Sequence, residues 1–418
     1  MRASLWQLRQ DADEASWVAS DASAGSSRAS GGADVRVDAV VIGAGIVGLS
    51  AAIELEARGL RVAVLERARA GAGASGRNAG YLMRGAADSY AAAAEAWGRE
   101  VARGVWRWSE ANLAALRALG VERVPGYASR PSALVAMEAE EADELARSRH
   151  MLLEDGFGAS WLESGDDALW RRGRARAALV NPDDACCDPA SLLGWLASML
   201  REPVVTGCDV RSIACADGVA RAVTSRGVFE GPRLVLATNA LAGMLMPTLG
   251  GVITAWRGQM AAYRCARADL AMSYYLNRGG EYVRTGADGL VLAGGMRRFH
   301  AEAERTASVE PSAALQADLD SFVRAAFDVG EAELVARWAG TMGFTTDGLP
   351  VLAVSGRDGA SIGVAAGFTG HGMSLGHLAG REVASAMVEG RAIGMARCTA
   401  VGDGFSWDTS PGSRATPG

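Results

Sequence analysis

The sequence predicts an α/β unit with a buried parallel sheet, joined to an α+β region of antiparallel sheet plus helices. Three observations carry this expectation. Val40, Val41 and Ile42 form an apolar run without polar alternation, as in a strand buried on both faces, and the chain then turns at Gly43, Gly45 and Gly48. Residues 88–155 read as helices, with Trp97, Val101, Val105, Trp108, Leu113 and Leu116 at roughly helical intervals. Residues 252–295 carry short strand-like runs, VITAW, GQMAAYR and LVLAGG, broken by Gly, Asn and Asp.

The first unit has the signature of a Rossmann-like dinucleotide site. Gly43 permits a tight turn, Gly45 lets the backbone approach a pyrophosphate, and Gly48 lets the following helix lie against the strand. That helix, with Leu49, Ala52 and Ile53 on its apolar face, stops at Gly59. Its N-terminus offers free N–H groups to phosphates. A second strand, Arg61 to Leu65, ends at Glu66, whose carboxylate suits ribose hydroxyls and repels a 2′-phosphate.

Composition narrows the class. A length of 418 residues favours two domains, and 49% hydrophobic content supports a substantial core. A net charge of −6 without a basic block argues against nucleic acid as a partner. No apolar run is long enough to span a bilayer, so no stable membrane association is expected, and the location expected is cytoplasmic. Cys186, Cys187, Cys208, Cys215, Cys265 and Cys398 show no metal-ligand spacing; reduced thiols and no metal are expected. All 42 basic residues are arginine, so no lysine is available as base, Schiff-base former or oxygen-activating charge. Residues 1–34 read as a flexible leader and 398–418 as a flexible tail.

After Glu66 the stretch RARAGAGASGRNAGYL adds Gly71, Gly73, Gly76 and Gly80, which let a flavin pass close to the backbone. Together with DAVVIGAGIVGLSAAIELEARG, LVLATNA (234–240), RWAGTMGFTTDGLPVLA (337–353) and GVAAGFTGHGMSLGHLAGREVA (363–384), this stretch resembles the FAD-dependent D-amino-acid oxidase superfamily. It is most similar to the γ-glutamylputrescine oxidase and glycine oxidase branch, and SWVAS (16–20) resembles the leader of the former. The resemblance covers about Ser16 to Gly390. It implies a Rossmann-like FAD-binding domain made of 35–87, 185–245 and 336–397, with a substrate domain made of 88–184 and 246–335.

The resemblance also assigns residues. Non-covalent FAD is expected to contact Gly43, Gly45, Ile46, Gly48, Glu66, Arg67, Ala74, Ser75, Arg77, Asn78, Ala79, Gly80, Val210, Thr238, Gly340, Gly367, Thr369, Gly370, His371, Gly372 and Met373. Asn239 replaces the glycine of the commoner A-T-G form. Gly340 stands near the place of the cysteine that carries covalent flavin in sarcosine oxidases. The arginine that pairs with a substrate carboxylate in glycine and D-amino-acid oxidases falls on Met342, which makes a simple α-amino acid a doubtful substrate. The implied reaction is oxidation of a C–N bond to an imine in a small amine or amino-acid-like substrate, with oxygen as acceptor. A dehydrogenase using a quinone or carrier protein is the alternative, and a flavin-binding protein without turnover a more distant one.

His371, Arg257, Tyr282 and Arg284 are the catalytic candidates. The last two alternate on a strand and share one face, though a solvated face explains them equally well. Arg257 suits an ion pair as well as a place near the flavin, and His371 suits loop packing as well as catalysis. Tyr274 and Tyr275 read as packing residues, Arg297 and Arg298 as a surface pair, and Cys186 and Cys187 as buried small hydrophobes.

Overall fold

The computed structural model describes residues 3–9, 34–86, 88–164, 174–268, 270–357, 359–391 and 393. In chain order the elements that build the site are β1 (Ala39–Ile42), α1 (Ile46–Ala57), β2 (Val62–Leu65), α2 (Arg99–Leu119) and β3 (Arg233–Leu236). They are followed by β4 (Ile253–Cys265), β5 (Ser273–Leu276), β6 (Glu281–Thr285), β7 (Val291–Gly295) and α3 (Ala313–Ala326). Last come β8 (Ala332–Thr345), β9 (Val351–Arg357), β10 (Ala360–Ala366) and α4 (Gly372–Glu389).

The first sheet runs β9-β10-β3-β1-β2, parallel except for β9. All four residues of β1 are buried, as its unbroken apolar run requires. Helix α4 lies on α1 with backbone nearly touching backbone: a Cβ added at Gly380 would sit 2.2 Å from the Val47 carbonyl oxygen, and one at Gly376 3.0 Å from Ile46 Cγ2. From outside, α2 fixes α4. Asn112 donates to the Met373 carbonyl (3.1 Å) and accepts from the Leu378 N–H (2.9 Å), while Trp108 Nε1 donates to the Leu375 carbonyl (3.2 Å). On the opposite side Ile213, Ala222 and Phe229, from a small four-stranded sheet, pack with Val40, Ile42 and Leu236.

The second sheet runs β8-β4-β7-β6-β5, continued by strands Ser132–Ala136, Ala177–Asn181 and Ser160–Glu163. Alternation sorts its side chains. Gln259, Ala261 and Tyr263 of β4 face α3, where Gln316 bonds Gln259 (3.1 Å) and Leu319 and Val323 join the apolar cluster. Trp256, Gly258 and Met260 lie opposite Met342, Gly340 and Trp338 of β8 and take the other face, towards the first sheet. Two bonds lock the sheets together there: Trp338 Nε1 to the Arg77 carbonyl (2.8 Å), and Arg77 to the Ala339 carbonyl (2.9 Å).

Three expectations need amendment. The helical region 88–155 also contains the strand Ser132–Ala136. Strand β8 runs through the expected division at 335/336 and lies wholly in the large sheet, because it pairs with β4 along its length. The leader 1–34 is in part structured: residues 5–9 are helical, and Leu5 and Trp6 are buried against Trp338, Ala79 and Tyr81. Ser4 Oγ donates to the Gly76 carbonyl (2.8 Å) and Trp6 Nε1 to the Asn78 carbonyl (2.9 Å), so this segment closes over the 71–80 loop. Two apolar side chains in a polar stretch supply the driving force. SWVAS and the tail 398–418 lie outside the described residues.

The α1–α4 contact predicts a pH dependence. Ser50 Oγ gives its proton to the Ile46 carbonyl (2.6 Å), so Nδ1 of buried His377 is the donor in their 2.8 Å bond, and Nε2 is left unprotonated with no partner among the described residues. Burial, with the nearby Arg381, lowers the His377 pKa from 6.5 to about 4. The fold excludes a proton that the unfolded chain takes up, so stability is full above about pH 6.5 and falls as the pH drops to about 4, by on the order of 3 kcal/mol. Urea unfolding of wild type and His377→Gln at about pH 7 and about pH 4.5 should show a smaller acid loss in the variant.

Candidate active site

A cleft of about 490 Å³ opens at the C-terminal ends of β1, β2 and β3, where Ile42, Leu65 and Ala237 border it. Glycine shapes its floor. Gly43 has φ +102°, and a Cβ there would sit 2.7 Å from the Ala237 carbonyl oxygen; one on Gly48 would sit 1.8 Å from the Gly43 oxygen. Helix α1 therefore starts hard against the turn, N-capped by Gly45 with no side-chain cap. Ser75 Oγ accepts from the Ile46 N–H (3.1 Å) and Glu66 accepts from Ala44 (3.1 Å) and Ala68 (3.0 Å), which fixes both side chains at the cleft wall.

A second helix start meets the same cleft. Gly370, Gly372 and Met373 border it at the N-terminus of α4, which also has no side-chain cap. Asn239, at φ +47°, holds this loop to β3 through a bond from the Gly367 N–H to its Oδ1 (2.9 Å). Asn tolerates the left-handed region where glycine would otherwise be needed. Both helix dipoles favour negative charge in the cleft.

The cleft suits a dinucleotide: a Cβ at Gly45 would intrude on Ser75 Oγ at 2.9 Å, and Thr238 Oγ1 is buried with no partner among the described residues. Of the residues expected at the cofactor, Gly43, Gly45, Ile46, Glu66, Arg67, Ala74, Ser75, Asn78, Val210, Thr238, Gly370, Gly372 and Met373 border the cleft. Gly48, Arg77, Ala79, Gly80, Gly340, Gly367, Thr369 and His371 stand outside that wall and position it. Gly340, for example, packs on Arg77, whose Cβ would be 3.0 Å from an added Cβ. Asp209, Arg211, Met244, Ala307 and Val309 also border the cleft. Asp209 and Arg211 flank Val210, whereas Met244, Ala307 and Val309 are brought in by long-range folding and no local motif marks them.

The cleft continues onto the face of the large sheet that carries Met342 and Trp256. Tyr282 shares that face. It pairs with Gly294, whose added Cβ would meet the tyrosine ring at 2.3 Å, and with Tyr275 and Tyr81 it forms an edge-to-face cluster. Burial pushes the Tyr282 hydroxyl up to about 12.

Three catalytic candidates are corrected. Arg257 points to the opposite face, the consequence of standing one residue from Trp256 on a strand. There it makes a bidentate pair with buried Glu304 (2.7 and 2.7 Å) and donates to the Glu310 carbonyl (2.6 Å). Arg284 shares the face of Tyr282, but its guanidinium is held by the carbonyls of Ala79 (2.5 Å) and Cys187 (2.8 Å) beneath the Trp6 ring. His371 is the N-cap of α4; Nδ1 lies 3.1 Å from the Thr369 carbonyl, Nε2 is buried with no partner among the described residues, and desolvation lowers its pKa, which disfavours a resident cation there.

The arginine pair also divides. Arg298 is exposed and pairs with Glu281 (3.1 Å), whereas Arg297 turns inward over Phe344 and Trp256. Tyr274 packs on Phe327 in the core, and Cys186 and Cys187 are buried, with burial pushing the Cys187 thiol up.

A mainly parallel sheet with two helix starts opening on one cleft, beside a large mixed sheet, is the architecture of a dinucleotide-binding protein. The sequence model of the family described as FAD dependent oxidoreductase (DAO) matches residues 38–386, and the chain belongs to this family of FAD-dependent oxidoreductases. It is similar to glycine oxidase of Pseudomonas aeruginosa, with 28% identity over 81% of this chain and 88% of that one. It is also similar to gamma-glutamylputrescine oxidoreductase of Escherichia coli, with 26% identity over 84% and 83%. The fold matches the crystal structure of glycine oxidase from Geobacillus kaustophilus, at TM-score 0.72 and 24% identity over 86% of this chain and 96% of that one.

Glu66 tests the cleft assignment. Glu66→Ala removes a carboxylate fixed at the wall, and each charged hydrogen bond to the cofactor is worth about 1.5–3 kcal/mol, so FAD should dissociate more readily while turnover per bound flavin stays near wild type. Flavin titration of the apoprotein measures the first and rate per flavin the second. Unchanged occupancy with collapsed turnover would refute the assignment.

Proposed function

We propose that this chain oxidises the C–N bond of a small amine or amino-acid-like molecule to an imine, with oxygen as acceptor and hydrogen peroxide as product. The observation that carries the reading is the continuity of the cofactor cleft with the sheet face bearing Met342, Trp256 and Tyr282. Bound FAD supplies the hydride acceptor for the carbon that bears the amine. The protein's part is to orient an unprotonated amine, exclude water and stabilise charge. Gly43, Gly45, Ile46, Glu66 and Ser75 would hold the dinucleotide end, and the backbone of Gly370, Gly372 and Met373 would face the ring end, where the α4 dipole favours electron gain. Glu304 is committed to Arg257 behind the sheet, in keeping with a reaction that needs no base at carbon. Water then hydrolyses the imine to a carbonyl compound and the released amine.

Attachment of FAD is taken as non-covalent, since Gly340 offers no thiol and Cys208 lies at the Glu66 end of the cleft, its N–H bonded to the Glu66 carbonyl (2.9 Å). Acid precipitation should leave the yellow colour in the supernatant; flavin retained in the pellet would overturn this point. A cytoplasmic location forms part of the same reading, and no described helix is long and apolar enough to cross a membrane.

The choice of acceptor has a competitor, a dehydrogenase passing electrons to a quinone or carrier protein. The chain has no lysine, Arg257 is neutralised by Glu304 and His371 is held neutral, so fixed charge for activating oxygen is scarce. A panel of amines should bleach the flavin band anaerobically, and substrate-dependent oxygen uptake faster than dye reduction is the expected outcome. Dye reduction without oxygen uptake would transfer the assignment to the dehydrogenase.

A further inference from the structure

Residues 4–9 lie outside the matched family region, which begins at residue 38, yet they are bonded to the loop that walls the cofactor cleft. Ser4 Oγ donates to the Gly76 carbonyl (2.8 Å), Trp6 Nε1 to the Asn78 carbonyl (2.9 Å) and Gln7 Nε2 to the Gly71 carbonyl (3.2 Å). Ser4 and Gln7 also bond each other: the Ser4 N–H donates to Gln7 Oε1 (2.9 Å) and the Gln7 N–H to Ser4 Oγ (3.2 Å), which presets both side chains for their carbonyls. The Trp6 ring packs edge-to-face on Trp338 with centroids 6.2 Å apart, and the guanidiniums of Arg284 and Arg9 lie 5.6 and 5.4 Å from its centroid. Arg9 then pairs with Asp288, in the turn between β6 and β7.

The 71–80 loop needs such fastening. The glycines that let it approach the cofactor, Gly71, Gly73, Gly76 and Gly80, also give it more conformational freedom to lose on ordering than other residues would. Part of the loop is cleft wall: Ala72, Gly73, Ala74, Ser75 and Asn78 border the space, and Ser75 Oγ accepts from the Ile46 N–H at the α1 start (3.1 Å). The carbonyls of Gly71, Gly76 and Asn78 are taken by residues 4–9. A ligand in the cleft and the N-terminal segment therefore order the same loop. Whichever docks first leaves the loop fixed, and the other then loses less conformational entropy on binding.

We infer that residues 4–9 form a clasp on the cofactor loop whose closure is coupled to FAD binding, with Ser4, Trp6 and Gln7 as positioning residues that hold loop carbonyls and do not themselves border the cleft. FAD and the clasp strengthen each other's hold by the same factor, because linkage between two binding equilibria is reciprocal. The coupling involves FAD binding alone, whatever the substrate or the electron acceptor. A segment that only filled a gap in the core would open no differently with FAD in the cleft, except through the stability of the whole fold.

The test is made on the full chain, with FAD and without it. The Gln7 and Leu8 N–H groups are bonded within the segment, to Ser4 Oγ and to the Ser4 carbonyl (3.0 Å), so hydrogen exchange followed by mass spectrometry reads its opening. In the apoprotein these amides should exchange ahead of those of β1, which marks local opening. In the FAD-loaded protein they should exchange about 10–100-fold more slowly, the range common for coupled sites. Gln7→Met keeps the side-chain length and removes the donor to Gly71, and Trp6→Ala removes the buried ring. Both should release FAD faster than wild type, Trp6→Ala by about the factor that FAD imposes on the exchange. Leu8→Ala, at an exposed position of the same segment, should release FAD at the wild-type rate. Exchange that is indifferent to FAD, exchange that keeps pace with β1 in the apoprotein, or wild-type FAD release from Gln7→Met and Trp6→Ala alike overturns the clasp. Should Trp6→Ala fail to fold, Gln7→Met and the exchange of wild type decide the matter.

Discussion

Helix α4 lies on α1 at a distance only glycine allows, and the geometry of the cleft follows from that contact. Gly380 admits the Val47 carbonyl, Gly376 admits Ile46, and Gly48 admits the Gly43 carbonyl on the strand side. Three close approaches stack β1, α1 and α4 so that the starts of both helices open on one space. Two positive dipole ends then act on one ligand, one from each end of the chain. Side chains large enough to fill these gaps would splay the helices and dissolve the shared site.

The large sheet imposes a different rule, that of alternation. Neighbours Trp256 and Arg257 leave β4 on opposite sides, so one reaches the cofactor face and the other is consumed by Glu304 behind it. A motif such as WRGQM identifies the strand without telling which of its side chains meets the ligand. Glycine acts here as well: Gly294 lets the Tyr282 ring lie flat across β7, and Gly258 makes room for the Met342 side chain, whose Cε would be 2.7 Å from an added Cβ. The resulting surface is rich in aromatic rings, with Arg284 held by the Ala79 and Cys187 carbonyls and Arg297 stacked on Phe344 and Trp256.

Charge is distributed sparingly near that surface. With no lysine in the chain, every fixed cation is a guanidinium, and most are tied to carbonyls or carboxylates for structural ends. His371 is neutral because burial penalises its charged form. Backbone dipoles at the two helix starts are left to supply positive potential to the cleft, while Arg297 stacks on Phe344 and Trp256.

Local chemistry wrote the dinucleotide unit into the sequence. The apolar run of β1, the three glycines, and Glu66 at the end of β2 each act within a few residues of one another, so their spacing alone specified strand, turn, helix and acid. The 71–80 loop was legible for the same reason, whereas the loop before α4 was marked by the family resemblance. What the sequence could not display were contacts closed over long separations. Leu5 and Trp6 look like part of a polar leader until the sheets present Trp338 and Tyr81 for them to cover. Arg297 and Arg298 are adjacent and chemically identical, and only the backbone reversal at Met296, together with the rings of Trp256 and Phe344 brought from two other strands, turned one inward and left its neighbour at the surface. Burial and partnership are properties of the assembled sheets, and they decided which arginines hold the fold through carboxylates and carbonyls and which one stacks on the rings of the large sheet.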